Sequence, residues 1–190
     1  MPQITTIVKL AVEKILKKNV LVVGAGIKTG LNIRIDNPAQ LGSDLVVDSV
    51  AAIVEYPAPL LIFDLGTANT VCVIDKNKNY IGGMIYPGIG VSLDSLTAHA
   101  SQLGGISIEA PEHMIGKNTT ECMKSGLIYS SAAAMDGIID RLQEQLGGEA
   151  TVIATGGLAK KIVPHCRREI ILDDDLLLKG LAIIYKKNRK

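Results

Sequence analysis

The chain contains no tryptophan, one phenylalanine and five tyrosines among 190 residues. So few aromatic rings leave little surface on which the bases of a nucleic acid stack. It also lacks an excess of either charge: twenty Lys and Arg face nineteen Asp and Glu, for a formal net charge of +1. Nucleic-acid and membrane-surface binding both rely on a dense positive field, so neither is expected. The one basic cluster, Lys186-Lys187-Asn188-Arg189-Lys190, reads as a solvated helix end whose cations suit the negative pole of the helix dipole. Cysteine is scarce. Cys72, Cys122 and Cys166 are odd in number and far apart, which argues against a disulfide framework and against a zinc site. His99, His113 and His165 add no metal-binding spacing. No apolar run approaches the length that spans a bilayer, and no signal peptide is visible. The expectation is a soluble, cytoplasmic protein.

What the chain has is apolar residues, 47% of the total, and 19 glycines. That suffices for one good core or for two small lobes sharing an interface. Ile4, Ile7, Val8, Ala11, Val12, Ile15 and Leu16 keep helical spacing and predict an amphipathic opening helix. Val20–Val23 reads as a short strand buried on both faces, and Gly24 to Pro38 as irregular or extended chain. Helical spacing returns from Ala39 to Tyr56, closed by Pro57 and Pro59. The stretch LLIFDLGTANTVCVID, Leu60 to Asp75, predicts strand, tight turn and strand, and Tyr80 to Pro87 a third strand after the turn Lys76–Asn79. The second half predicts helices over Val91–Leu103 and from Asn118 or Thr119 to Leu146, the latter stopped by Gly147-Gly148. Short strands follow at Thr151–Ala154 and Ile170–Leu172. A last helix runs through Leu181 and Tyr185, with Asp173, Asp174 and Asp175 as N-capping acids. Strands alternating with helices give the α/β class.

Glycines mark the candidate chemistry. In Asp64-Leu65-Gly66-Thr67, a hairpin tip without a Cβ lets backbone N–H groups approach an anion. The Thr hydroxyl adds a donor and the Asp can hold a cation beside a phosphate, although an isolated motif of this kind also fits an ordinary hairpin. Gly24-Ala25-Gly26-Ile27-Lys28-Thr29-Gly30 is not a P-loop, because a P-loop ends in Gly-Lys-Ser/Thr and opens a helix. Gly42-Ser43-Asp44 puts a carboxylate at a helix start, which suits either the helix dipole or a substrate. Gly82-Gly83 and Pro87-Gly88-Ile89-Gly90 fit ligand-shaped loops or plain strand ends. Thr155-Gly156-Gly157, after a buried strand, leaves room for a flat ligand such as a nucleoside. Small residues at Ser130–Ala134 suit close helix packing, in the core or at a dimer seam.

In order and spacing, IRIDNPAQLGSDLVVDSVAA, LLIFDLGTANT, GGMIYPGIGVSLDSL, IGKNTTECMKSG, ATGGLAKKI and DDDLLLKGLAIIY resemble the type III pantothenate kinases over essentially the whole chain. The resemblance implies an actin-like ATPase (ribonuclease H-like) fold of the acetate kinase/Hsp70/actin superfamily. It implies ATP-dependent phosphorylation of pantothenate to 4′-phosphopantothenate, the first step of coenzyme A biosynthesis, by a homodimer with the pantothenate pocket at or near the subunit interface. Carried over by position, Asp44 is the general base. Gly42, Ser43 and Leu45 flank it in the pantothenate pocket, and Thr119 contacts the same substrate. Asp64 binds a monovalent cation, K⁺ or NH₄⁺. Gly66 and Thr67 meet ATP, with Gly156 and Gly157 also on the nucleotide, and Mg²⁺ travels with ATP.

The chain departs from the family's pattern at Leu45, where many members have Arg, at Ile35, where many have Tyr, and at Asn69, within a hairpin that often reads GTATT. The family also opens with a strand carrying DxGNT, whereas the one Asp-x-Gly here is Asp64-Leu65-Gly66. The resemblance therefore implies an N-terminally truncated member, with residues 1–57 a remnant of the N-terminal lobe and 58–190 the C-terminal lobe, and with impaired phosphorylation. The alternative is a non-catalytic binding or regulatory remnant that dimerises through its C-terminal lobe.

Overall fold

Three consecutive strands form the frame. In the computed structural model, which describes residues 2–100 and 103–189, β2 (Leu60–Leu65), β3 (Ala68–Ile74) and β4 (Asn79–Pro87) make an antiparallel meander. The first turn is Gly66-Thr67. At the second, the Asp75 carboxylate accepts N–H bonds from Asn77 at 2.8 Å and Asn79 at 2.9 Å, the local side-chain bonding that favours Asp at turns. β5 (Thr151–Thr155) lies parallel to β2, β6 (Ile171–Leu172) parallel to β5, and β1 (Asn32–Ile33) parallel to β4. The sheet order is β1-β4-β3-β2-β5-β6.

Alternation along the strands sorts the sheet into two faces. Leu61, Phe63, Leu65, Val71, Val73, Val152 and Ala154 face one layer. That layer holds α3 (Ile89–His99), the long α4 (Thr119–Leu146) and α5 (Ala159–Ile162). Leu60, Ile62, Cys72, Ile74 and Ile153 face the other, where α2 (Ser43–Glu55) packs beside α6 (Leu176–Asn188). The two helices approach closely because Gly180 has no side chain: a Cβ there would collide with the Val47 carbonyl. Ala51, Ala52 and Ile53 share one core with Leu60 and Ile62, so the boundary expected at 57/58 does not separate two cores.

Several expected elements form as read. α4 is capped by Asn118, whose side chain accepts from the Glu121 N–H at 2.9 Å, and ends at Gly147 in the left-handed region, φ 75°. Such αL glycines close many helices. α1 (Pro2–Leu16) forms too, but Ile4, Ile7, Val8 and Leu10 on it are exposed.

Other expectations fail for physical reasons. Val20–Val23 is not a strand: among the described residues no strand of the sheet runs beside it, and Leu21 and Val22 lie at the surface near α1. An apolar run becomes a strand only where a neighbour completes its hydrogen bonds. α3 stops at His99 rather than Leu103; 101 and 102 of that expected helix lie outside the described residues. Asp175 is the N-cap of α6 but makes no side-chain cap bond. Asp173 is instead buried and accepts from the Tyr56 hydroxyl at 2.8 Å and Lys179 Nζ at 2.7 Å. Gly24–Gly30 opens no helix, as expected of a stretch that is not a P-loop, and strand β1 follows it. Lys187 Nζ and Asn188 of α6 hold its Lys28 and Thr29 backbone groups. No helix among the described residues is long and apolar enough to cross a membrane.

Candidate active site

The α2-facing rows of the sheet are apolar at one end and polar at the other. Leu60 and Ile62 are followed by Asp64, Ile74 and Cys72 by Thr70, and Ile153 by Thr155. Asp64 is in register with both Thr70 and Thr155, so the three side chains share the face. α2 matches this division. Ala51, Ala52 and Ile53 cover the apolar end, while Asp44 and Asp48, one turn apart, belong to the helix's N-terminal half.

Asp44 stands exposed in the first turn of α2, where the helix dipole favours a carboxylate. Its Oδ1 accepts the Leu45 N–H at 2.9 Å. Gly42 makes room for that carboxylate, since a Cβ at 42 would collide with Asp44 Oδ1. Gly42, Asp44 and Leu45 line a cleft of about 550 Å³ with Ile35, Thr70 and Met84. Its wall is mostly apolar, and its charged residues are Asp36 and Asp44. Ser43 is not part of that wall; its hydroxyl donates to the Val23 carbonyl at 3.1 Å.

Beside the cleft, three backbone turns meet. Gly88 lies against the hairpin tip, where a Cβ would collide with the Gly66 and Thr67 carbonyls, and its N–H donates to the Thr67 oxygen at 3.1 Å. Gly156 has φ 93°, and a Cβ there would collide with the Asp64 carboxylate and the Leu65 backbone. The Leu158 N–H closes this contact on the Leu65 carbonyl at 3.2 Å. The sequence therefore brings Asp64, Gly66, Thr67, Gly156 and the exposed Gly157 to one end of the β2–β5 pair. Backbone approached this closely, without side chains, is how proteins cradle phosphate and nucleoside groups.

The electrostatics single out a residue that sequence reasoning missed. Asp48 is 2% exposed, its Oδ1 has no hydrogen-bond partner among the described residues, and burial pushes its carboxyl up to about 7. The charges of Asp64, Asp44 and Asp173 add to that rise. Burial also raises the Asp64 carboxyl, reinforced by Asp44. Thr70 Oγ1 is another of the buried side-chain oxygens without a partner among the described residues. One signal for Asp48 was available: an acid inside the apolar run Val46-Val47-Asp48-Ser49-Val50, four residues after Asp44.

Thr119 is not brought to this cleft. It is exposed at the start of α4 and lines a separate groove of about 660 Å³ with Ser92, Lys117, Cys122 and Ser130.

The sequence profile described as type III pantothenate kinase matches residues 1–141. The chain belongs to the type III pantothenate kinase family. A type III pantothenate kinase of Exiguobacterium sp. is 46% identical over 170 residues, covering 90% of this chain and 66% of the relative. That of Exiguobacterium sibiricum is 48% identical over 168 residues, with 88% and 66% covered. That of Bacillus cytotoxicus is 46% identical over 176 residues, with 93% and 67% covered. The chain thus spans about two thirds of the length of these curated relatives.

Among solved structures, a Baf family transcriptional activator of Campylobacter jejuni superposes with a TM-score of 0.55 at 22% identity, covering 84% of this chain and 70% of that one. The ethanolamine utilization protein EutJ of Carboxydothermus hydrogenoformans gives 0.53 at 15% identity, with 96% and 72% covered. At such identities the likeness carries the fold alone, the actin-like ATPase class expected for the family.

Proposed function

We propose that this family member serves the phosphorylation of pantothenate by ATP, giving 4′-phosphopantothenate in the first step of coenzyme A synthesis. The observation that carries the reading is the joint position of Asp44 over an apolar cleft and of the glycine turns at Gly66, Gly88 and Gly156 beside it. Phosphoryl transfer asks chiefly for positioning and charge neutralisation, and this layout supplies an acceptor pocket next to a backbone cradle.

In this reading Asp44 orients the primary hydroxyl of pantothenate and takes its proton as the new O–P bond forms and the bond to ADP breaks. Gly42 and Leu45 shape the wall beside it. Ser43 acts by fixing the Val23 segment behind the helix start. Gly66, Thr67, Gly156 and Gly157 hold ATP, with Mg²⁺ travelling on its phosphates. Asp64 holds a monovalent cation, K⁺ or NH₄⁺, and the Thr70 hydroxyl in register with it suits an ion that prefers hard oxygen donors. Thr119 reaches pantothenate from a second copy of the chain, since its own groove is separate from the Asp44 cleft. The working form is accordingly a homodimer, and its place is the cytoplasm.

The test is calorimetric binding of pantothenate and of ATP, followed by a coupled assay of ADP release. Both ligands should bind, and Asp44→Asn should lower kcat about 10²–10⁴-fold while leaving ATP affinity unchanged. A chain that binds neither ligand, or a variant that turns over at the original rate, would overturn the reading.

A further inference from the structure

Two charged side chains line the Asp44 cleft, and both are acids: Asp36 and Asp44 itself. Among the described residues on its wall there is no Lys, Arg or His. Asn37 and Gln40 contribute neutral amides, and the Asn37 Oδ1 is already engaged by the Ala39 N–H at 3.2 Å. Much of the remaining wall is apolar. Ile35 and Leu45 pack against the core beneath α2. Ile85 is in register with Thr70, on the α2 side of the sheet, yet is 75% exposed. The two departures from the family's pattern, at Ile35 and Leu45, thus fall on the wall of one cleft.

Pantothenate carries a carboxylate at the end opposite its primary hydroxyl. With the hydroxyl at Asp44, that carboxylate enters a cleft whose charges are of its own sign. A carboxylate against an apolar wall gives up hydration, and without a cation nothing compensates the loss. Like charges brought together in a binding site also repel. An amide in its place has no charge to desolvate and meets side-chain amides as partners, while an alkyl group on its nitrogen covers Ile85. Leu45 is the position that decides. It follows Asp44 directly on α2 and shares its cleft, so an arginine there would present a planar fork of donors to a carboxylate. Leucine presents methyl groups.

We infer that Leu45 and Ile35 turn the acceptor cleft toward uncharged amides of pantothenate, with pantothenate itself the weaker acceptor. The inference rests on the assignment of this cleft to the acceptor proposed above. The transfer is unchanged: the primary hydroxyl oxygen bonds to the γ-phosphorus, the bond to ADP breaks, and the proton passes to Asp44.

The experiment compares pantothenate with its N-propyl amide on the full chain, by calorimetric binding and by ADP release in a coupled assay, at low and at high salt. The wild type should bind the amide about tenfold or more tightly than the acid, with the same preference in kcat/KM. High salt should tighten pantothenate by screening the acids of the cleft, and leave the amide unchanged. Leu45→Arg should tighten pantothenate about tenfold or more and leave the amide no tighter. Far-UV circular dichroism verifies that the variant is folded; should it fail to fold, the wild-type comparison and its salt dependence carry the test. A wild type that binds pantothenate as tightly as the amide, or more tightly, overturns the inference. If Lys117→Ala, in the Thr119 groove, then abolishes that affinity, the counter-charge comes from a second copy of the chain. Preference for the amide without ADP release overturns the kinase reading while the cleft's selectivity stands, and a chain that binds neither compound overturns both.

Discussion

A carboxyl group that is 2% exposed and feels the charges of Asp64, Asp44 and Asp173 makes Asp48 a source of pH dependence. Its folded pKa lies near 7, against 3.8 for the ordinary side chain. Between those values the folded chain binds one proton more than the unfolded chain, so stability falls as pH rises through that window. The shift corresponds to at most about 4 kcal/mol. In potassium-free buffer, Asp48→Asn should flatten the decline in urea-unfolding free energy from pH 5 to pH 8; an unchanged slope would place the decline elsewhere. Gly156 tests the neighbouring turn. Its φ of 93° and its contact with Asp64 and Leu65 exclude a side chain, so Gly156→Ala should cost about 2–4 kcal/mol of stability. Calorimetry should also show weakened ATP binding. Asp44, Asp64 and Gly156 were legible as candidates because each stands at a recognisable helix start or strand end. Asp48 was not, because a polar residue within an apolar stripe declares its role only when its surroundings are known.

At the scale of elements, α2 is locked to the β6–α6 junction by a cluster at the far end from Asp44. Lys179 Nζ bridges Asp173 at 2.7 Å and Glu55 at 2.8 Å, and the Tyr56 hydroxyl donates to Asp173 at 2.8 Å. Burial works to raise the Asp173 carboxyl, but the bonds from Lys179 and Tyr56 outweigh it and hold the carboxyl below the ordinary value. A depressed folded pKa stabilises above the unfolded pKa, about 3.9, and the gain is lost as pH falls through the folded value. Tyr56→Phe should therefore cost about 1–2 kcal/mol at pH 7 and less at pH 3, as read from denaturant melts at the two values. An equal loss at both would show that packing, rather than the hydrogen bond, is at stake. This clamp explains why Asp173, unlike Asp175 at the N-cap position, was misread among the three acids before α6. Their spacing suits capping, yet Asp173 is drawn inward by two partners distant in sequence. By contrast, α4 was legible from end to end, because Asn118, Gly147 and the 3.6-residue spacing between them are local signals.

For the whole molecule, the separation of Asp44 and Thr119 into two grooves makes assembly the decisive question. The proposed homodimer would bring Thr119 of one copy to the Asp44 cleft of the other. Light scattering should then give twice the 20.2 kDa chain mass. Asp44→Asn and Thr119→Ala, each impaired alone, should recover about a quarter of wild-type turnover when refolded together, because half of randomly assembled dimers carry one intact site. No recovery on mixing would put Thr119 to work within its own subunit or outside the site. The exposed apolar residues of α1 belong to this scale too: helical spacing makes a helix, while burial depends on what lies beside it.

The sequence by itself determined the α/β class, the β2–β3–β4 meander, the capped α4 and the family, since each depends on residues adjacent in the chain or on blocks in a set order. Tertiary structure decided what depends on neighbours brought from afar. Val20–Val23 remained outside the sheet because no strand offers it hydrogen bonds. Asp173 became a clamp because Tyr56 and Lys179 reach it. Gly156 is confined to glycine by the Asp64 carboxylate pressed against it, and Asp48 drew its charge environment from a strand sixteen residues away. The turn Asp64–Thr67 was readable as a candidate phosphate loop, but only the fold set it on the sheet face covered by the helix that carries Asp44.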